Sequence, residues 1–344
     1  MADTYKRFTT DDVVVGDTAT VSSTVWSSNS NPLTTAWIST NTSSWEYYIP
    51  VYDKNPLTDT SATVQFSIAY GHRGGSGSIG STTAVDSSGN TPSKAIYSQY
   101  RNLLLSSTET AFNINGSVDD IFVVNLNRAR FKQKLDPGNW ELRLSGSVAQ
   151  QKFIDGSGAG EDPTVNAAGR VFNIYSGSGG TKASSTVYGL AYPDMGLLVF
   201  SAAISASVGF TVTRTATAAT NSYAFWCTFM GTGSGTLANP TPILASARSA
   251  SSGYFSARTE EKITSNYYFV RVTNQQFNYS TNSTYTSGSN GQFRWSIMQG
   301  NPQVYITTVG LYDDANQLLA IAKLSKPLLK NFNREALIKI KIDY

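Results

Sequence analysis

Side chains that could perform catalysis or hold a metal are few in this sequence. His72 is the only histidine and Cys227 the only cysteine. A single histidine leaves one candidate base for a serine or cysteine nucleophile and no multi-histidine metal site. A single cysteine excludes an internal disulfide and a cysteine-based zinc cluster. The sequence therefore predicts no metal and no cofactor, and we expect His72 to be a surface or capping residue before a Gly-rich loop.

Pairs of adjacent carboxylates could suggest the acid and base of a glycoside hydrolase. However, neighbours in sequence point to opposite faces of a strand, whereas a catalytic pair needs a fixed separation across the sugar. A polysaccharide depolymerase therefore stays a minor hypothesis, and we expect no enzyme. The pairs are Asp11-Asp12, Asp119-Asp120, Glu161-Asp162, Glu260-Glu261 and Asp313-Asp314.

A glycine pattern at residues 75–80, GSGSIG, matches the dinucleotide-binding fingerprint letter for letter. That fingerprint works because its glycines close a turn that directs a helix N-terminus at a pyrophosphate. Here STTAVDSSGN follows instead of a helical sequence. The pattern is typical of an exposed Gly/Ser loop, and we expect no nucleotide site.

The composition favours β structure. Only 14% of the 344 residues are charged, against about 25% in an average globular protein. Ser, Thr, Asn and Gly replace the missing charge, and 12% of the residues are aromatic. Long helices need Ala, Leu, Glu, Lys and Arg on their surfaces, whereas Thr, Val and aromatic residues suit a half-buried sheet.

Charge and hydropathy also limit the possible partners. The net charge of +3, from 26 Lys and Arg against 23 Asp and Glu, is too balanced for a protein that grips phosphates, so we expect no nucleic acid partner. Residues 195–213 are uncharged, but their Ser, Thr and Gly content fits two buried strands better than a membrane span. We expect no membrane association, and the N-terminal sequence, which lacks a secretory signal pattern, predicts synthesis in a cytoplasm.

The predicted fold is mainly β, with antiparallel sandwich-like sheets, one short helix at about residues 92–105 and long Gly/Ser-rich loops. Apolar runs such as RVFNIY, GLLVF and YAFWCTFM alternate with these loops, as is typical of strands. We predict an N-terminal arm at residues 1–56, a β-rich body at 57–205 and a β-rich second part at 206–344. Three tryptophans predict that the arm is packed against the body or a neighbour; they are Trp26, Trp37 and Trp45.

A basic segment precedes a predicted turn at Asp136-Pro137-Gly138, and together they read as a hairpin. In a strand, its alternating cations would share one face. That face is either a solvated edge protected by charge or a basic docking surface. The cations are Arg128, Arg130, Lys132 and Lys134.

The C-terminal sequence predicts a hairpin followed by a final strand. VYITTVGLY and LLAIAKL flank a turn at residues 313–316, Pro327 interrupts the pattern, and residues 335–344 alternate with strict period two. Residues 323–344 carry a net charge of +4, which predicts either docking to an acidic partner or a solvated strand face. The strand pairs with its own body or with a neighbour. Its candidate interface residues are Ile338, Ile340, Ile342 and Tyr344 on one side and Lys339 on the other, with Lys341 beside it.

Several of these segments resemble virion structural proteins of large contractile-tailed bacteriophages, of the T-even-like and cyanophage-type myoviruses. The C-terminal block from FNYSTNSTYTSGSNGQFRWSIMQGNPQVYITTVGLYDD to EALIKIKIDY carries the resemblance most clearly. SIAYGHRGGSGS, KAIYSQYRNLLL and DDIFVVNLNRARFKQKLDPGNWELRLSG extend it upstream, so it touches most of the chain from about residue 58.

The resemblance implies a non-enzymatic particle component, in the tail or baseplate region, whose partners are other virion proteins and further copies of itself. The expected location is the virion. A fibre-type adhesin is the alternative, in which Tyr267-Tyr268 and the loop at residues 277–285 bind a host glycan or surface protein, since Tyr, Ser, Asn and Gly suit binding loops.

Overall fold

The computed structural model describes residues 5–38, 48–56, 58–75, 91–212, 218–230 and 253–344. The chain divides into two compact units. The terminal unit consists of the described part of Met1–Thr20 together with Lys262–Tyr344, and the central unit is the described part of Val21–Glu261. This division differs from the predicted one, because the boundaries expected after residues 56 and 205 both fall inside the central unit.

The fold class predicted from the sequence is confirmed: the described chain is mainly β, with antiparallel sheets. Among the described residues there are four helices rather than the single one predicted. Most of the predicted Gly/Ser loop at residues 73–90 lies outside the described residues, as does GTGSGT at 231–236. The helices are α1 (Pro92–Leu104), α2 (Arg128–Phe131), α3 (Ala203–Val208) and α4 (Ala218–Met230), with short 3-10 turns at Thr10–Asp12, Gly156–Ala159 and Ser296–Met298. The strands are β1 (Val13–Thr24), β2 (Trp37–Ile38), β3 (Tyr48–Tyr52), β4 (Val64–His72), β5 (Asp120–Leu126), β6 (Lys134–Leu135), β7 (Glu141–Ser145), β8 (Gln150–Asp155), β9 (Thr164–Asn166), β10 (Gly169–Ser178), β11 (Thr181–Tyr192), β12 (Leu197–Ser201), β13 (Tyr254–Ser256), β14 (Arg258–Val272), β15 (Thr286–Ser287), β16 (Gln292–Phe293), β17 (Val304–Tyr312), β18 (Leu318–Lys330) and β19 (Ala336–Asp343).

The central unit is built on one large antiparallel sheet with the order β13-β7-β8-β10-β11-β12-β5-β4-β3-β2, and β9 adds to β10. Its middle strands are apolar on both faces. In β5, Phe122 and Val124 face one hydrophobic cluster, whereas Ile121 and Val123 face a second cluster on the other side. A sheet covered on both faces explains why β5 and β12 read as continuous apolar runs and not as alternating ones.

The first cluster encloses α4, which was predicted wrongly as a strand. All nine side chains from Asn221 to Phe229 are buried, and α4 packs against β3 and β4 and also against β7, near the other end of the sheet. A bridge between Leu33 and Phe255 joins the two ends, so the sheet curls around the helix. Because a fully enclosed helix is apolar all round, its sequence lacks the stripe that would have revealed it.

The second cluster is covered by α1, and here the prediction was nearly right. Thr91 caps the helix by accepting a hydrogen bond from the Lys94 amide (3.4 Å), and Pro92 occupies the first turn. Five apolar residues recur at helical spacing along α1, and of these only Leu103 is exposed. The buried members are Ile96, Tyr97, Tyr100 and Leu104.

The segment predicted to be an arm is part of both units. It supplies β1, β2 and β3, and Trp26 is buried in the first cluster against Phe66 and Phe255. The expected burial of Trp26 is thus confirmed, Trp37 is partly buried in β2, and Trp45 lies outside the described residues.

In residues 195–212, the described part of the segment predicted as two strands, one buried strand, β12, is followed by α3, so the second predicted strand was wrong. Ile204 and Val208 on α3 are buried in the first cluster. The apolar side chains of this segment are therefore buried by a helix and not by a second strand. No helix within the described residues has the length and hydropathy needed to span a membrane.

The terminal unit has two layers. One is a sheet in which β14 lies between β1 and β19. The other is the predicted hairpin of β17 and β18, which is confirmed, although β18 continues past Pro327 because a register shift opposite Ile306 and Thr308 accommodates the proline. A small apolar cluster around Leu311, Ile338 and Ile340 fills the space between the layers.

The enclosed helix generates the first prediction. Replacing Phe225, which stacks on Phe122 at 5.4 Å, by Ala should lower the free energy of unfolding of the central unit by about 3–5 kcal/mol. Replacing the exposed Val165 by Ala should change it by less than about 0.5 kcal/mol. Urea unfolding followed by tryptophan fluorescence measures both, since five of the six tryptophans lie in residues 21–261. Equal effects of the two variants would contradict the placement of α4.

Candidate functional site

The predicted C-terminal strand is β19, and its alternation is as expected. Ile338 and Ile340 are buried and Ile342 is partly buried against the cluster between the layers. Lys339 and Lys341 lie on the opposite, exposed side. Tyr344 departs from the pattern: its side chain is exposed, although its backbone still pairs with Thr264 in both directions at 2.9 and 3.0 Å.

The partner of β19 is β14 of the same chain, in a ladder of eight antiparallel residue pairs. The reciprocal bonds between Thr264 and Tyr344 fix which residues hydrogen-bond to β14, since bonded and non-bonded pairs alternate along an antiparallel ladder. The amide and carbonyl groups of Leu337, Lys339 and Lys341 therefore point to the other edge of β19. No strand of the described chain pairs with that edge.

The basic side chains beside this edge are matched within the unit. The Lys339 ammonium lies 4.0 Å from the centre of the Tyr267 ring, a cation–π contact. Lys341 pairs with Asp343 at 2.9 Å. A hydrogen bond from Ser265 and then the ammonium of Lys341 hold the pKa of Asp343 below its ordinary value. The edge therefore offers main-chain hydrogen bonds more than unmatched charge.

The predicted basic hairpin at residues 128–134 was wrong. Asn127 accepts a hydrogen bond from the Ala129 amide (3.1 Å) and starts α2, so Arg128 and Arg130 lie on a helical turn and not on a strand. Lys132 follows the helix with φ 55°, and the turn at Asp136-Pro137-Gly138 connects β6 and β7, which pair with different strands.

These cations do not form a single basic face. The guanidinium of Arg128 lies 4.9 Å from the centre of the Phe131 ring. The ammonium of Lys132 is 2.8 Å from a carboxylate oxygen of Glu261 and that of Lys134 is 3.2 Å from one of Glu260. Only Arg130 has a buried nitrogen, Nε, that lacks a hydrogen-bond partner within the described chain.

An ion-pair network continues from Glu260 into the central sheet. Arg170 lies 3.7 Å from Glu260 and 3.0 Å from Asp194, and its amide also donates to Asp194 at 2.8 Å. Burial raises the pKa of Asp194, but the hydrogen bonds and charge of Arg170 outweigh burial and leave that pKa below its ordinary value. The network joins β10 to the loop before β12, and its paired charges indicate a role in stabilising the fold.

The terminal unit contains a groove of about 750 Å³, which we call the tyrosine groove. The segment at residues 5–8, the end of β14, the loop at residues 277–280 and the whole of β17 line it. Its lining contains exposed aromatic rings, hydroxyl groups and charges of both signs. Its aromatic, hydroxyl and charged side chains include Tyr5, Lys6, Arg7, Asp12, Arg271, Tyr279, Ser280, Tyr305, Thr307, Thr308, Tyr312, Asp313 and Asp314.

Part of the groove's lining comes from a loop that was predicted from the sequence to bind a ligand. Phe277, Tyr279 and Ser280 belong to the loop predicted to bind a glycan. The dipeptide Tyr267-Tyr268 is placed elsewhere, because Tyr267 lies under Lys339 and Tyr268 packs in the apolar cluster. The contribution of residues 5–8 was missed, since only folding brings them beside residues some 260 positions later in the chain.

Most carboxylate pairs have a structural role. Asp12 caps a 3-10 turn by accepting from the amide and hydroxyl of Thr9, Glu161 pairs with Lys182 at 2.7 Å, and Asp313 accepts from the Gln317 amide at 2.7 Å in the hairpin turn. No group of three or more His, Cys, Asp or Glu side chains in the described residues is arranged to hold a metal ion.

The single histidine is buried, which corrects the expectation of a surface residue. His72 is 8% exposed and accepts a hydrogen bond from the Gly74 amide at Nδ1 (3.0 Å). Its Nε2 lies 3.9 Å from Asp120, which also accepts from the Tyr70 hydroxyl at 2.5 Å. The three side chains form a buried polar cluster between β4 and β5.

Comparison of the chain with protein-family models, with curated proteins and with solved structures found no match.

The Arg170 network generates a pH prediction. A carboxyl whose pKa is lowered by folding stabilises the fold above its unfolded pKa, of about 3.9 for Asp, and this contribution is lost as the pH falls through the folded pKa. The free energy of unfolding of the central unit should therefore decline below about pH 4, and the Asp194→Asn variant should decline less steeply. Urea titrations at pH 7, 4 and 3 compare the two slopes. Parallel slopes would show that Asp194 is not held ionised by Arg170.

Proposed function

We propose that this chain is a structural component of a tailed-phage virion, in the tail or baseplate region, and that it works through protein–protein contacts. The resemblance of its C-terminal block to such proteins motivates the proposal. The open edge of β19 carries it. Its partners are other virion proteins or further copies of the chain.

An open edge of this kind is a template for adding a strand from another chain. Leu337, Lys339 and Lys341 direct their amide and carbonyl groups outward over a stretch of five residues, while the isoleucines between them hold β19 on the inner layer. Main-chain bonds would supply affinity and the flanking side chains would supply selectivity. Proteins that act alone usually shorten, cover or charge such an edge; the two lysines of β19 are engaged by Tyr267 and Asp343 and leave the outward main-chain groups uncovered.

The distribution of exposed apolar side chains also favours the terminal unit, which contains β19, as the unit that contacts a partner. In the described central unit the exposed large apolar side chains are limited to Val21, Leu103, Val148 and Val165. In the terminal unit they recur on several elements, so this unit exposes more large apolar side chains than the central unit does. They include Val14, Val15, Trp295, Ile297, Leu318, Leu319, Ile321, Phe332, Leu337 and Tyr344.

Deleting residues 335–344 would be a blunt test, because it would also uncover the apolar cluster of the terminal unit. Lys339→Pro is sharper. It removes an outward amide without removing a bond to β14, and Lys339→Ala is its matched control, since both variants lack the ammonium that contacts Tyr267. We expect Lys339→Pro to reduce incorporation into particles at least about tenfold and Lys339→Ala to incorporate nearly as well as the unmodified chain.

Each tagged variant is expressed in infected cells, and the amount that co-purifies with particles on a density gradient is measured. Circular dichroism and proteolysis of each purified variant report whether the terminal unit is still folded. Equal incorporation of folded Lys339→Pro and Lys339→Ala would exclude docking through this edge. Absence of the unmodified chain from particles would exclude the virion role itself.

A further inference from the structure

We propose that the tyrosine groove of the terminal unit binds a neutral saccharide chain. This inference goes beyond a structural role, because assembly through β19 requires no ligand in the groove. It rests on the groove's exposed aromatic rings, their fixed positions and the balance of its charges.

Four tyrosines line the groove with unusually large exposure. Their exposed fractions are 55% for Tyr5, 38% for Tyr279, 63% for Tyr305 and 44% for Tyr312. Sugar rings have apolar C–H faces that pack on aromatic rings, and their hydroxyl groups can hydrogen-bond to the phenolic oxygen. Tyrosine offers both kinds of contact with few rotatable bonds, so ordering it on binding costs little entropy.

Neighbouring contacts hold three of the four rings in place before any ligand arrives. Tyr5 and Tyr312 meet edge to face, with ring centres 5.3 Å apart. The Tyr279 hydroxyl donates to the Gly291 carbonyl (2.9 Å), and its ring packs against Tyr285 and Phe293. A surface that is already arranged loses less free energy on binding than one that must be ordered.

The loop that carries Tyr279 is anchored from beneath by a lysine. Lys330, at the end of β18, is fully buried, and its ammonium donates to the Asn274 carbonyl (2.9 Å) and to the Asn278 side chain (2.7 Å). A buried ammonium is tolerated only when its donors are matched. These bonds fix the loop next to β17 and make Lys330 a positioning residue for the groove.

The charges of the groove favour a neutral ligand. Three cations, Lys6, Arg7 and Arg271, line it together with three carboxylates, Asp12, Asp313 and Asp314. An acidic polysaccharide or a phosphate would be repelled by the three carboxylates as well as attracted by the three cations, so the lining offers it no excess of positive charge. Guanidinium donors, carboxylate acceptors and short hydroxyls suit the hydroxyl groups of a sugar, each of which donates and accepts. The short hydroxyls are Ser280, Thr307 and Thr308.

The dimensions of the groove are consistent with an oligosaccharide. Its volume of about 750 Å³ lies within the range of about 300–1,000 Å³ found for small-molecule sites. All nine residues of β17 line it, so the groove follows the length of that strand. A chain of sugars extends along such a groove, with rings contacting tyrosines at Tyr305 and at Tyr312.

The test uses the purified full-length chain on an array of neutral and acidic oligosaccharides and of extended peptides. The best neutral binder is then titrated by calorimetry into three variants. Tyr305→Ala should weaken binding at least about tenfold, as expected for an aromatic anchor, and Tyr305→Phe should weaken it less because the ring remains. Leu319→Ala is the matched control, since Leu319 is 69% exposed on the same hairpin but does not line the groove.

Four outcomes would overturn the proposal. They are no saccharide binding at millimolar concentration, equal binding by Tyr305→Ala and Leu319→Ala, a preference for acidic saccharides that weakens with salt, and a preference for extended peptides. Failure here is separable from failure of the virion role, because Tyr305→Ala should still enter particles and Lys339→Pro should still bind the saccharide.

Discussion

The pairing of β14 with β19 is the interaction on which the terminal unit depends. Its eight residue pairs place Ile338 and Ile340 on the inner side, where they close the apolar cluster against the hairpin of β17 and β18. The same ladder determines which amides of β19 hydrogen-bond to β14 and which face outward. One strand thus stabilises the unit through its side chains and offers its outer edge through its backbone.

The sequence predicted this strand but not its partner. Period two over residues 336–343 reflects one buried and one exposed face, which is a local property of the strand. Pairing with β14 involves residues about seventy positions upstream, and nothing in the local pattern encodes that register. The hairpin of β17 and β18 was easier, because a short turn at residues 313–316 joins two adjacent apolar runs. Similarly, α1 was predictable because its cap and its buried stripe are both local.

Of the three helices that were missed, α4 and α2 escaped prediction for opposite physical reasons. The helix α4 is apolar on all sides because the curled sheet surrounds it, so neither period is visible in AFWCTFM. The helix α2 is too short for any periodicity, and its single turn depends on the Asn127 cap. The tyrosine groove was found only in part, since Tyr5, Tyr279 and Tyr305 come from three separated segments. Composition pointed to binding loops, whereas their meeting place is a property of the fold.

The low charge of the chain has different consequences in the two units. In the central unit it accompanies a sheet that is apolar on both faces and hides most of its large apolar side chains. In the terminal unit, by contrast, apolar and aromatic side chains stay exposed beside an open strand edge and along the tyrosine groove. The edge belongs to β19, whereas the whole of β17 lines the groove and β19 contributes only Ile338, whose side chain faces the inner layer. A protein contact at one therefore does not require the other to be empty, so assembly and ligand binding are compatible within one small unit.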